Sequence, residues 1–271
     1  MPYSQILKTK FLSFLAKALG YKFKHQLFYT CMLRIIFMVK SKMDEDVVGG
    51  LRDRLVRVGR ELYSQGLVVE AEGNISARIP NTDKILIKPS GVCMGFLNPE
   101  DLIIVDLEGN KVEGKLNPSL ETPMHTAIYR VRPDVNGVVH SHAPTATAFG
   151  IAGIEIIPLQ VEMFTHVPNG VPIVPFKLPG SKELAEAVQK SIMEYNAVIL
   201  ENHGIITVGP TIEEACLLNR MVEECAKLQY TAIMLAGREA ISWEALKKKL
   251  LTESGNIDLE ALRRKFKVFK I

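Results

Sequence analysis

Between Gly73 and Gly114 the chain places four strand-like runs in succession with only polar turns between them, and this crowding constrains the fold more than any other feature. GNISARI and KILIKPSG are joined by a turn at Pro80–Asp83, and DLIIVDLEGNKVEG supplies a third run, a turn at Gly109–Asn110 and a fourth. Parallel neighbours need a crossover of about a dozen residues or more. No such length exists here, so these strands pair antiparallel and must be covered by helices contributed from elsewhere.

Helical patterns lie on both sides. Residues 44–66 carry Val47, Val48, Leu51, Leu55, Val58 and Leu62 at three-to-four spacing, with Gly66 as a stop. SLETPMHTAIYRVRP predicts a helix with Ser119 as N-cap and Pro133 past its end. VNGVVHSHA reads as a strand, residues 145–151 as a short helix, and Val171–Pro175 as strand material. SKELAEAVQKSIMEY is an amphipathic helix, and AVILENHGIITVG is a strand pair turning at Asn202–Gly204. A long helix follows, capped by Thr211 and stopped by Gly237. No GxGxxG opens a helix, which argues against a dinucleotide fold. The expectation is an α/β fold with a mainly antiparallel central sheet flanked by helices.

The two ends differ from this body. Residues 1–42 hold eight Lys and Arg and no acid, so the remainder is net acidic although the whole chain carries +3. An acidic body gives no reason to expect nucleic-acid binding. The basic, apolar N-terminus has helical spacing at Phe11, Leu12, Leu15 and Leu19, yet lysines interrupt any secretory or membrane-spanning run. Three readings stay open: a surface anchor touching membrane, a segment packed on the domain or a neighbouring subunit, or one outside the native protein, with translation starting at Met38 or Met43. The sharp break at MDEDVVGGLRDRL favours the last. The expected domains are therefore a basic, apolar extension over 1–43, the main α/β domain over 44–240 and a helical tail over 241–271. Cys31, Cys93, Cys216 and Cys225 form no CxxC and no disulfide framework, which makes the reducing cytoplasm the default, and the apolar contexts of Cys93, Cys216 and Cys225 read as those of inert core thiols.

The chemistry starts at His140 and His142, one residue apart on a strand and therefore on one face. Two converging imidazoles suit a divalent metal, most often zinc, although HxH alone favours ordinary core or surface histidines. His203 lies at a strand turn, where Gly204 permits close backbone approach. Three imidazoles leave a tetrahedral zinc one open position, the catalytic arrangement. Glu121, at a helix start, is a candidate fourth ligand and base; the alternative is an acid favoured by the helix dipole. EGN at Glu72–Asn74, KPSG at Lys88–Gly91 and NPS at Asn117–Ser119 bring small and amide residues to element ends, where turns suit an anion.

The order GNxS, KPSG, SxE, HxH and NHG resembles the class II aldolase/adducin family, over about Val47 to Gly237. The resemblance implies zinc on His140, His142 and His203, with Glu121 as ligand and acid/base. It implies that Asn74, Ser90, Gly91 and Ser119 hold substrate phosphate. It implies about nine strands, and a homotetramer with active sites between subunits. The activity implied is reversible cleavage of a ketose 1-phosphate, such as fuculose 1-phosphate, to dihydroxyacetone phosphate and an aldehyde through a zinc-stabilised enediolate. A sugar-phosphate 4-epimerase, a methylthioribulose-1-phosphate dehydratase or aldolase, and a metal-free adducin-like interaction module are the alternatives. The chain departs from the aldolase pattern at Leu120, where a second serine is expected and only the backbone N–H can serve phosphate. It offers Glu162 and His166 where a tyrosine from a neighbouring subunit donates a proton, and Phe269 near a second tyrosine position. His166 is a candidate substitute acid, a plain loop histidine being the alternative. Lys88 makes IKPSGV more epimerase-like, whereas the epimerase carries aspartate at the place of Glu121. His125, one helical turn from Glu121, is expected to be a structural partner.

Overall fold

Strand pairing follows the crowding of the first half. A computed structural model describes residues 25–242 and residue 248, with residues 25–44 described only as part of their helix. Strands β1 (Asn74–Arg78), β2 (Lys84–Ile87), β3 (Ile103–Asp106) and β4 (Lys111–Glu113) form an antiparallel meander. Strand β5 (Gly137–Ser141) joins the free side of β1 and pairs with β8 (Gly204–Gly209), which pairs with β7 (Ala197–Leu200). A short β6 (Ile173–Val174) closes the order β4-β3-β2-β1-β5-β8-β7-β6. Only β6 and β7 run parallel, because a helix crosses between them, α5 (Lys182–Ile192).

Eight strands are described where about nine were expected. Two isolated bridges lie outside these strands, Ile156 with Val171 and Pro89 with Pro118. Pro158 and Pro172 flank the first bridge, and prolines at both residues of the second have no N–H to extend a ladder.

Both faces of the sheet are covered. On one, Val138, Ile206, Val198, Ile85 and Val105 pack with Met124, Ile128 and Tyr129 of α2 (Thr122–Val131) and with Leu184, Val188 and Ile192 of α5. On the other, α6 (Ile212–Ala236) lies behind β5 and β8, with α3 (Pro144–Ile151) beside it. Each such aliphatic side chain taken out of water contributes roughly 1.5–3 kcal/mol, so the sheet centre is the stable part of the molecule. A further short helix, α4 (Val161–His166), is too short for periodicity to reveal in the sequence.

The chain divides between residues 48 and 49. Helix α1 (His25–Ser64) crosses that boundary and is already helical at His25, where the sequence predicts a start near 44. No proline or glycine interrupts residues 25–48. Leu51, Leu55, Val58 and Leu62 are buried, and Gly66, at φ +69°, ends the element as expected. Phe11, Leu12, Leu15 and Leu19 lie outside the described residues, as does the tail beyond Ser242 with Phe269, Lys248 apart. Among the described residues no helix is long and apolar enough to cross a membrane.

Candidate metal centre

Strand register brings the first two site residues together. Asn74 of β1 sits directly opposite His140 of β5, so their side chains share a face, the one that α2 covers. Glu121 is the residue before α2 and serves as its N-cap. Ser119, the predicted cap, instead holds the preceding turn. Its Oγ accepts from the Glu121 N–H at 3.2 Å, and its carbonyl accepts from the Thr122 N–H at 3.0 Å. Pro123 in the first helical turn needs no N–H partner, which lets the helix start late.

His203 arrives from the β7–β8 turn, which reverses through Asn202 at φ +55°. A Cβ on Gly204 would stand 2.4 Å from the Ser141 carbonyl oxygen, so only glycine lets this turn lie against β5. The three rings then meet edge-on. Their centroids are 5.1 Å apart for His140–His142, 4.7 Å for His140–His203 and 5.2 Å for His142–His203. One ligating nitrogen from each lies within 4.8 Å of the others.

Glu121 faces this cluster, with Oε2 3.2 Å from His140 Nε2 and Oε1 3.4 Å from His203 Nε2. His140 Nδ1 donates to the Ile205 carbonyl at 3.0 Å, which directs Nε2 into the cluster. His140 Nε2, His203 Nδ1 and Glu121 Oε1 are buried without a hydrogen-bond partner. Buried polar atoms are rarely left so, and several together call for an ion or water. A divalent cation fits this donor set of imidazoles and one carboxylate.

The electrostatics agree. Burial works against a charged Glu121, but His140, Asn74 and His203 outweigh it and hold the carboxyl well below its usual range. Burial also opposes charge on His140, and the Glu121 carboxylate overturns it, so His140 is raised. Burial and the His140 charge lower His203 to about 4, leaving a neutral imidazole able to ligate. The carboxylate thus favours a cation on the His140 nitrogen, whether proton or metal.

Behind Glu121 runs a directed chain of hydrogen bonds. Tyr129 Oη is 3.0 Å from Ser76 Oγ, which is 2.6 Å from His125 Nδ1. His125 Nε2 donates to Asn74 Oδ1, and Asn74 Nδ2 donates to Glu121 Oε2 at 2.7 Å. Burial drives His125 to about 3, so it stays neutral with one donor and one acceptor nitrogen. His125 is therefore the structural partner expected, acting through Asn74.

Two of the three predicted anion turns meet. Ser90 N–H donates to the Asn117 carbonyl at 3.1 Å, and Pro89 bridges Pro118, which joins the 88–91 and 117–119 turns. Ser90 and Gly91 are exposed, Ser119 is half-buried, and Leu120 is 77% exposed beside Glu121. Asn74 differs from these, because its amide is already engaged by Glu121 and His125. Lys88 is buried and donates to the carbonyls of Ala71 at 2.8 Å and Gly73 at 3.0 Å. Burial lowers it to about 8, with Cys93 and Glu121 opposing. His166 is exposed and lines a separate cavity of about 180 Å³ with Glu194 and Tyr195. The relay through Ser76 and Tyr129 was missed in the sequence. The alternation of Asn74 with Ser76, and of His125 with Tyr129 one turn on, was its only signal.

Three imidazoles and a carboxylate gathered at the end of β5 have the composition of a catalytic metal site. Residues 53–230 match the family model described as Class II Aldolase and Adducin N-terminal domain, and the chain belongs to that family. It is 39% identical over 179 residues to an L-fuculose phosphate aldolase of Methanococcus maripaludis, covering 65% of this chain and 93% of the relative. It is 34% identical over 179 residues to a 5-deoxy-D-ribulose 1-phosphate aldolase of Bacillus thuringiensis, covering 66% and 84%. The crystal structure of L-fuculose-1-phosphate aldolase from Thermus thermophilus superposes with a TM-score of 0.63 at 31% identity, covering 69% of this chain and 96% of that one. These relatives are sugar-phosphate lyases.

Proposed function

We propose that the chain is a zinc-dependent aldolase that reversibly cleaves a ketose 1-phosphate to dihydroxyacetone phosphate and an aldehyde. The observation that carries this reading is the buried Glu121 facing His140 and His203, with Oε1 in an ion-pair contact but without a hydrogen bond. His140, His142 and His203 would hold a divalent ion, which when bound would supply Lewis-acid stabilisation of negative charge on the substrate oxygens. Glu121 removes the proton from the donor carbon in synthesis and returns it in cleavage. Asn74 orients that carboxylate, and the neutral His125 fixes which end of the amide does so. Ser90, Gly91, Ser119 and the Leu120 N–H hold the phosphate, whose remote binding energy orients the reacting carbon.

The reading extends to a homotetramer acting in the cytoplasm on a small molecule rather than on nucleic acid. Supporting it are the exposed Leu120 next to the acid and the thiols of Cys216 and Cys225, buried and free. Burial pushes Cys216 up to about 12, so it is inert.

The test is proton exchange into dihydroxyacetone phosphate alone in D₂O, followed by NMR. We expect stereospecific exchange at C3 that a chelator abolishes. Glu121→Gln should keep its bound metal and lose exchange by about 100-fold or more. No exchange in folded, zinc-loaded protein refutes the donor, and a fully active Glu121→Gln removes this residue from the mechanism.

A further inference from the structure

The loop from Ala71 to Asn74 reaches two members of the cluster at once. Asn74 reaches Glu121, as described. Glu72 places Oε2 3.2 Å from His142 Nδ1. Nothing about Glu72 alone would hold it there, since its side chain is 45% exposed. The backbone around it is held instead. Lys88 Nζ donates to the carbonyls of Ala71 and Gly73, the residues on either side of Glu72. Gly73 adopts φ +63°, and a Cβ there would stand 2.7 Å from the His140 carbonyl oxygen. The loop is thus pinned to β2 by a buried lysine and pressed onto β5 at the first histidine.

A metal-bound imidazole ligates through one nitrogen and donates the other N–H to a carbonyl or carboxylate, which fixes its tautomer and orientation. His140 has the Ile205 carbonyl for this purpose. His142 has Glu72. We propose that Glu72 is a positioning residue that holds His142 in the Nδ1–H tautomer and turns Nε2 toward the metal. The proposal rests on the metal-centre reading above. It gives the EGN turn a role different from the anion-binding one its composition suggests. A carboxylate suits that role better than a neutral acceptor, because an imidazole that carries a metal on Nε2 becomes a stronger donor at Nδ1.

The experiment uses the full chain with Glu72→Ala, Glu72→Gln and, as a control, His140→Ala. Zinc affinity is read by competition with a chromophoric chelator. The His142 tautomer is read by ¹⁵N NMR of histidine-labelled, metal-free protein. We expect Glu72→Ala to weaken zinc binding about 10-fold or more and to shift His142 away from the Nδ1–H form. Glu72→Gln, whose amide oxygen still accepts, should restore the tautomer and part of the affinity. Unchanged tautomer and affinity within about twofold in Glu72→Ala overturn the proposal. If His140→Ala also leaves zinc binding unchanged, the metal-centre reading itself fails, an outcome distinct from failure of Glu72 alone.

Discussion

At Glu121 two opposing effects meet, and the neighbours decide between them. Burial disfavours the charge, while His140, Asn74 and His203 favour it. The same environment spreads the histidines apart. His125 falls to about 3 and His203 to about 4, both through burial, whereas Glu121 raises His140. This divergence predicts how stability follows pH in the presence of a chelator. Between about pH 4 and 6.5 the unfolded chain protonates the equivalents of His125 and His203 while the folded chain does not, so stability rises with pH. His140 is protonated in both states over that window and adds no slope. Its contribution is present below 6.5 and is lost as pH rises through its raised folded value. Glu121, depressed, stabilises above its ordinary 4.5 and loses that contribution as pH falls. Thermal melts of chelated protein should therefore peak near pH 6.5. A melting temperature still climbing steadily from pH 6.5 to 8 would contradict the assignment of charge within the cluster.

Among elements, β5 carries the site on one face and its support on the other. Ser141, between the two histidines, points away from them and donates to Asn219 Oδ1 of α6 at 2.7 Å. Asn219 Nδ2 donates to Thr207 Oγ1 at 3.2 Å, and Thr207 donates to the Ala215 carbonyl at 2.8 Å. One turn further along α6, the buried Glu223 accepts from the backbone N–H of Thr145 at 3.0 Å and of Ala146 at 2.9 Å. It thereby caps α3 directly after His142. Asn219→Ala strands the buried Ser141 hydroxyl and takes a donor from Thr207, which keeps the Ala215 carbonyl, and should cost about 1–3 kcal/mol in urea denaturation. Adding Ser141→Ala should recover part of that loss, because one stranded group is then gone. Gly204→Ala acts on the site face. Its Cβ meets the Ser141 carbonyl oxygen at 2.4 Å, so we expect about 1–3 kcal/mol of destabilisation together with weaker zinc binding. Calorimetry and zinc titration of this variant would check both, and a variant with native stability would mean the turn can move aside. The helix boundaries show where local reading fails. Thr211 and Ser181 cap α6 and α5 through hydroxyls that accept from the N–H groups of Glu214 and Leu184, as such residues do. Ser119 had the same chemistry and is not a cap, because the helix starts only at Thr122, with Glu121 before it and Pro123 in its first turn.

For the whole molecule, the expected homotetramer makes a direct prediction. Sedimentation should give a species of roughly four times the 30.2 kDa chain mass. A monomer that turns over substrate would refute active sites shared between subunits. It would also require a proton donor from within one chain, where the exposed His166 lines a cavity with Glu194 and Tyr195 rather than with the three site histidines.

The sequence by itself determined the antiparallel meander, the helices that cover it and the histidines that meet. The meander and the helices follow from turns too short for crossovers and apolar residues at three-to-four intervals, and His140 and His142 from standing two apart, whereas His203 is joined to them only by the motif order that carries the family resemblance. Only the tertiary structure decided which polar groups face one another. It put Asn74 on Glu121, Glu72 on His142 and Lys88 on two backbone carbonyls, and it let the β6–β7 pair run parallel. Those choices depend on strand register and helix packing between residues as far apart as Asn74 and Glu121 or Ser141 and Asn219. Local periodicity carries no record of such pairings, because a polar side chain looks the same in sequence whether it meets solvent, a phosphate or a buried carboxylate.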